Sequence, residues 1–239
     1  MKERLIVALD VPTLREAEEI VVDLRGRVDF FKIGLELFCA AGPGAVEMVH
    51  RYGGRVFLDL KFHDIPNTIA GAVRRTAAMG VAMLNLHAAA GFAAMAAAVA
   101  AAREAASAEG LSAPILLGVT VLTSLDEAEL RAQNIHVPVE QQVEALSRQA
   151  LAAGLQGVVC AGGEVRTIKR ACGREFLAVV PGIRPVWAGA QDQRRAVTPA
   201  EALAEGADYL VVGRPILGAP DRRSAVARIL AEMEEAIDA

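Results

Sequence analysis

Val56-Phe57-Leu58-Asp59-Leu60, the polar connection Lys61 to Asn67, the stretch Thr68–Met79 and then Met83-Leu84-Asn85-Leu86-His87 decide the fold. The first and last are short, nearly continuous apolar runs, the pattern of strands buried on both faces. Thr68–Met79 between them is long enough for a helix and has apolar residues at helical spacing. A strand, a helix and a second strand make one crossover unit, which joins parallel strands. Pro66 favours an extended residue before it, and Asn67 or Thr68 is placed to cap the helix.

The same alternation extends in both directions. Further strands are expected at Leu5–Leu9, Phe30–Ile33, Ile115–Val119, Gly157–Ala161, Phe176–Val180 and Tyr209–Val212. Helices are expected at Thr13–Leu24, Gly44–Arg51, Ala93–Ala108, Val139–Ala153, Ala200–Glu205 and Ser224–Ala236. Eight strands in 239 residues, with no low-complexity linker, favour one closed (β/α)₈ TIM barrel over residues 1–239 rather than an open sheet.

Hydrophobic residues make up 54% of the chain and aromatic residues only 4%, so Ala, Val, Leu and Ile supply the core. A net charge of −4 argues against a nucleic-acid surface but leaves room for a local pocket binding a small anion. Cys39, Cys160 and Cys172 fit neither a zinc spacing nor a disulfide framework, and are expected to be buried free thiols in a reducing compartment. Met1-Lys2-Glu3-Arg4 runs straight into an apolar strand without a signal-peptide pattern, and Ala88–Ala106 is Ala-rich and contains Arg103 and Glu104. A cytoplasmic protein with no membrane or nucleic-acid partner is the expectation.

Barrel enzymes build their sites at the C-terminal strand ends. Here these ends carry Asp10, Lys32, Asp59 with Lys61, His87, Thr120 with Thr123, Pro181-Gly182 and Gly213-Arg214. Charges in an apolar strand set are costly to bury unless paired. Asp59 and Lys61 are two apart, and strand periodicity would aim both to one side of the sheet. Alone, such a pair reads as a structural ion pair; with Asp10 and Lys32 on neighbouring strands it reads as a site. Gly213 permits close backbone approach, and Arg214 offers a planar fork for phosphate oxygens. Residues Pro185 to Arg195 read as a lid containing Trp187, or else as a solvated loop. His63 and His87 have no metal-ligand spacing, and His87 is expected to be a hydrogen-bonded strand-end residue.

The block Asp59-Leu60-Lys61-Phe62-His63-Asp64-Ile65-Pro66-Asn67-Thr68 resembles the signature of the orotidine 5′-phosphate decarboxylases. The likeness continues, in that family's order, through Leu9-Asp10-Val11-Pro12, Phe31-Lys32-Ile33-Gly34 and Val119-Thr120-Val121-Leu122-Thr123-Ser124. Pro181-Gly182-Ile183-Arg184-Pro185 and Val212-Gly213-Arg214-Pro215-Ile216 complete it. The resemblance implies decarboxylation of orotidine 5′-monophosphate to UMP without metal or cofactor. It implies a catalytic chain Lys32–Asp59–Lys61–Asp64, with Lys61 protonating C6 and Asp59 lying against the departing carboxylate. Asp10 and Lys32 would hold the ribose hydroxyls. Arg184, Gln193, Gly213 and Arg214 would hold the phosphate, and Ile65, Thr68, Thr123 and Pro181 would complete the substrate contacts. A homodimer is implied, with Asp64 reaching into the neighbouring subunit's site.

Two other readings stay open at this level. A relative with the same Asp-x-Lys-x-x-Asp pattern could act on a sugar phosphate through an enediolate, with Mg²⁺. A non-catalytic nucleotide-phosphate binder would keep Arg214 and Gln193 without needing the Asp59–Lys61–Asp64 network.

Overall fold

The computed structural model describes residues 1–188 and 197–238. Eight strands run β1 (Leu5–Ala8), β2 (Phe30–Ile33), β3 (Arg55–Phe62), β4 (Met83–His87), β5 (Ile115–Val119), β6 (Gly157–Val159), β7 (Leu177–Val180) and β8 (Tyr209–Val212). Each is parallel to its neighbours, and β8 pairs with β1 to close the barrel. The helices are α1 (Leu14–Leu24), α2 (Leu35–Ala41), α3 (Pro43–Arg51), α4 (Pro66–Ala77), α5 (Phe92–Ala108) and α6 (Glu127–Ala132). They continue as α7 (Val139–Ala152), α8 (Val165–Cys172), α9 (Pro199–Ala204), α10 (Arg214–Leu217) and α11 (Arg222–Asp238).

Strand alternation sorts the core into two parts. Ile6, Ala8, Phe30, Phe57, Met83, Leu117, Val179 and Val211 fill the barrel lumen. The residues between them, such as Val7, Phe31, Leu58, Leu84 and Leu210, face the helices. Burying a side chain as large as Phe57 contributes about 1.5–3 kcal/mol. Lys32, Asp59 and Asn85 each stand two residues beyond a lumen residue (Phe30, Phe57 and Met83), so a polar layer lies directly on this apolar floor.

Local signals explain the element ends. Thr13 accepts the Glu16 N–H at the start of α1, and capping boxes open α6 (Asp126 with Glu129) and α9 (Thr198 with Glu201). Each such cap contributes about 1 kcal/mol. The start of α4 differs from the expectation: Pro66 occupies the first turn, Ile65 is the N-cap, and neither Asn67 nor Thr68 caps. Proline's fixed φ and missing N–H suit that position. Strand β3 continues to Phe62 rather than stopping at Leu60, while β6 ends at Val159. The cysteines also need correction. Cys160 is buried, with burial pushing its thiol well up, but Cys172 is half-buried and Cys39 is exposed. Among the described residues no helix is long and apolar enough to cross a membrane.

Candidate active site

The polar layer is assembled by β2, β3 and β4. Lys32 Nζ lies 2.8 Å from Asp10 Oδ1 and 3.3 Å from Asp59 Oδ2, so it joins the end of β1 to β3. Lys61 Nζ lies 2.6 Å from Asp59 Oδ1. Lys32 and Asp59 are buried, whereas the Lys61 side chain remains 30% exposed and open toward the rim. Burial acts to raise the Asp59 carboxyl, but Lys32, Lys61 and the hydrogen bonds from Lys61 and Asn85 outweigh it and hold it below the usual carboxylate range. Burial likewise acts to lower the Lys32 ammonium, and Asp59 and Asp10 reverse that, leaving it raised.

Simple two-residue periodicity does not explain how Lys61 reaches Asp59. The β3–β4 register passes from Leu58↔Leu84 to Phe62↔Leu86, so an advance of four residues on β3 (62 − 58) meets one of two on β4 (86 − 84). Within this irregularity Lys61 takes φ +48°, a left-handed conformation unusual for a lysine. Such a backbone costs about 1–3 kcal/mol and persists only where surrounding contacts fix it. Here the Lys61 N–H donates to Asn85 Oδ1 at 2.8 Å, and Asn85 Nδ2 donates to Asp59 Oδ1 at 2.6 Å.

The remaining expected residues fall into three groups. Asp64, Ile65 and Thr68 are exposed. Asp64 accepts the Ile65 N–H at 2.6 Å and, among the described residues, forms no ion pair, so one chain does not bring it to Lys61. On the far side, Gly213 approaches Asp10 and opens α10, with exposed Arg214 as the first residue of that helix. Arg214 borders a cavity of about 510 Å³ with Trp187, Ser224 and Arg228, and no residue of the lysine–aspartate layer lines it. The Arg184 N–H donates to Val197 O at 2.9 Å, joining the two ends of the expected lid. Trp187 lies under the Arg228 guanidinium at 4.2 Å. Gln193 lies outside the described residues, as does most of that loop. Pro181 and Thr123 are half-buried after β7 and β5, whereas Thr120 is committed to Val159 O at 3.1 Å.

His87 pairs with His63, ring centroids 5.1 Å apart. Burial first, then the His63 and Lys61 charges, lowers its pKa. Among the described residues no group of three His, Cys, Asp or Glu side chains could hold a metal ion.

Asn85 and Gly34 were not among the expected site residues. Asn85 could have been found as the one uncharged polar residue inside Met83–His87, at an inward position. A Cβ on Gly34 would stand 2.8 Å from Lys32 Nζ and 3.1 Å from Asp10 Oδ1, so glycine keeps this approach open.

A closed parallel barrel with paired lysines and aspartates at its C-terminal strand ends has the architecture of a (β/α)₈-barrel enzyme. The model of the orotidine 5′-phosphate decarboxylase / HUMPS family matches residues 3–229. A protein of Moorella thermoacetica named orotidine 5′-phosphate decarboxylase is 55% identical over 98% of this chain and 93% of its own length. One of the same name from Syntrophotalea carbinolica is 50% identical over 99% and 97%. The crystal structure of orotidine 5′-phosphate decarboxylase from Lactobacillus acidophilus superposes with a TM-score of 0.83 at 35% identity, covering 97% of this chain and 99% of that one. The chain belongs to the orotidine 5′-phosphate decarboxylase / HUMPS family.

Proposed function

We propose that this chain decarboxylates orotidine 5′-monophosphate to UMP and CO₂, the closing step of pyrimidine nucleotide synthesis, as a single catalytic domain. The observation that carries the mechanism is Lys61 Nζ, 2.6 Å from Asp59 and partly open to the rim, with Lys32 behind that carboxylate. The C6–carboxylate bond breaks heterolytically and leaves its electron pair in an sp² orbital that the pyrimidine ring delocalises poorly. The Lys61 ammonium stabilises that charge and gives its proton to C6, and water then reprotonates the amine. Asp59, held ionised by its lysines, faces the departing carboxylate and disfavours the bound ground state. Lys32 and Asp10 take the ribose hydroxyls. Gly213 and Arg214, with Arg184 and Gln193, take the phosphate, and Pro181 and Thr123 line the base. Remote phosphate binding then serves the transition state.

The active form is a homodimer in the cytoplasm, and its partner subunit supplies Asp64, Ile65 and Thr68. Support comes from Leu35 (55% exposed), Ile65 (66%) and Phe92 (50%) at the heads of α2, α4 and α5, large apolar side chains left open on adjacent rim loops. Mixing separately inactive Lys61→Ala and Asp64→Ala subunits places both lesions in one site of each mixed dimer. With random exchange at equal concentrations, roughly a quarter of wild-type activity should return. Verified exchange without recovery excludes the shared site.

The direct test of function is the fall in pyrimidine absorbance when orotidine 5′-monophosphate is added, with and without EDTA. Turnover should be equal in both. No turnover rejects the reading, and Mg²⁺-dependent turnover of a sugar phosphate in its place indicates the sugar-phosphate branch.

A further inference from the structure

We infer that Asn85 is a positioning residue, whose carboxamide locks the Asp59 carboxylate and the left-handed backbone of Lys61 into one fixed relation. The inference rests on the proposed decarboxylation for its catalytic consequence, and on geometry alone for the lock itself.

Asn85 is wholly buried on β4, pointing inward two residues above Met83. Across the β4–β5 ladder its neighbour is apolar Leu117. Both ends of its amide are spent on the site: Nδ2 on Asp59 Oδ1 at 2.6 Å, and Oδ1 on the Lys61 N–H at 2.8 Å. The amide's orientation follows from its partners. An ionised carboxylate only accepts and a backbone N–H only donates, so a flipped amide would oppose like with like at both ends.

Two consequences follow. Asp59 Oδ1 receives the Asn85 amide and the Lys61 ammonium together, while Oδ2 faces Lys32 at 3.3 Å. Without the amide the carboxylate can turn about its χ2 and carry the ammonium with it. The Lys61 backbone, at φ +48°, also loses the side chain that receives its N–H. A strained conformation needs such over-determination, and a displacement of about 1 Å at a reacting group costs on the order of 10² in rate.

Asn85→Ala should therefore lower kcat on the order of 10²-fold, with KM changed only a few-fold. Asn85→Asp separates positioning from mere filling. When protonated, the new carboxyl keeps an O–H donor for Asp59 and a C=O acceptor for Lys61. When ionised, it sets an acceptor against Asp59. The groups facing it are Asp59 and Lys61 on β3, Lys32 beyond them on β2 and His87 on its own strand, with no charge on Leu117. Its kcat should fall with rising pH relative to wild type, where a filler would leave the two profiles parallel.

Hydrogen exchange at the Lys61 amide reads the lock without turnover, and should speed up at least about tenfold in Asn85→Ala relative to neighbouring β3 amides. Unchanged Lys61 exchange overturns the lock, whatever the enzyme's activity. A folded Asn85→Ala enzyme with kcat within about threefold of wild type overturns the catalytic consequence, as does a parallel Asn85→Asp pH profile. If Asn85→Ala does not fold, Asn85→Asp supplies both the exchange and the kinetic comparison. Wild-type protein that fails to consume orotidine 5′-monophosphate counts against the proposed function, and the exchange result still decides the lock.

Discussion

The barrel carries lysine–aspartate pairs at both ends, at nearly the same separation but with the rest of each ammonium placed differently. At the N-terminal end, Lys169 Nζ lies 2.7 Å from Asp208 and also donates to the carbonyls of Arg174 and Phe176 at 2.8 and 2.9 Å. Asp208 in turn accepts the Ala178 N–H at 2.7 Å. All three donors of that ammonium go to the protein, and Asp208 Oδ2 is shared between it and the Ala178 N–H, so the pair ties α8 to β7 and β8. At the C-terminal rim, Lys61 spends one short contact on Asp59 and keeps the rest of its ammonium toward an open face. If the rim pair does the proposed chemistry, what separates it from the structural pair is the use of the remaining donors, not distance or charge.

The largest effect should come from breaking the rim. Lys61→Ala should lose more than the 10²–10⁴-fold that general-acid removal alone costs, because in the proposed mechanism the same ammonium also stabilises the C6 charge. Its melting temperature should change little, since the side chain is already partly exposed. Retention of more than about a tenth of wild-type kcat would remove Lys61 from the chemistry.

The bottom pair should respond in reverse. Lys169→Met keeps most of the apolar stem but strands Asp208 and two carbonyls, costing up to about 3 kcal/mol in denaturant unfolding. Turnover per folded molecule should stay within about twofold. A tenfold drop in kcat at unchanged stability would show that the two ends are coupled in function.

How much of this was legible in the sequence depended on the kind of signal. Strands dominated by β-branched and apolar residues, such as Tyr209–Val212, were plain because lumen and outer face are both apolar. Helix α8 is not among the expected helices: Val165 and Ile168 mark its buried side, but eight residues with three Arg or Lys leave few apolar positions to mark a period. Lys32, Asp59 and Lys61 were recognised as costly charges in apolar strands. The backbone at Lys61 could not be, because left-handed residues are normally marked by Gly or Asn, and here the requirement is met by Asn85 from another strand. Gly34 carries no sequence mark of its role, which depends on where Lys32 Nζ and Asp10 meet.

The smallest effect is a change in the shape of stability against pH, and it tests whether the rim charges are held as described. Asp59 sits below its ordinary value of 3.8 in the folded chain, so the unfolded chain binds more protons in the acid range. Stability from Asp59 is thus fully present above the unfolded carboxylate value and drains away as pH falls through the folded one. Lys32 sits above its ordinary 10.5, so its share is full below that value and is lost as pH rises through the folded one. The network should accordingly be intact across the whole neutral range. Unfolding free energies of wild type and Asp59→Asn, measured by urea denaturation from about pH 7 down to pH 3, give the comparison. Their difference should be level near neutrality and should change in favour of the variant as the pH drops below about 4, since only wild type must then protonate Asp59. A difference that stays level down to pH 3 would mean that Asp59 titrates alike in both states. The lysines would then not be holding its charge, and the rim would have no more claim to chemistry than the pair at the bottom of the barrel.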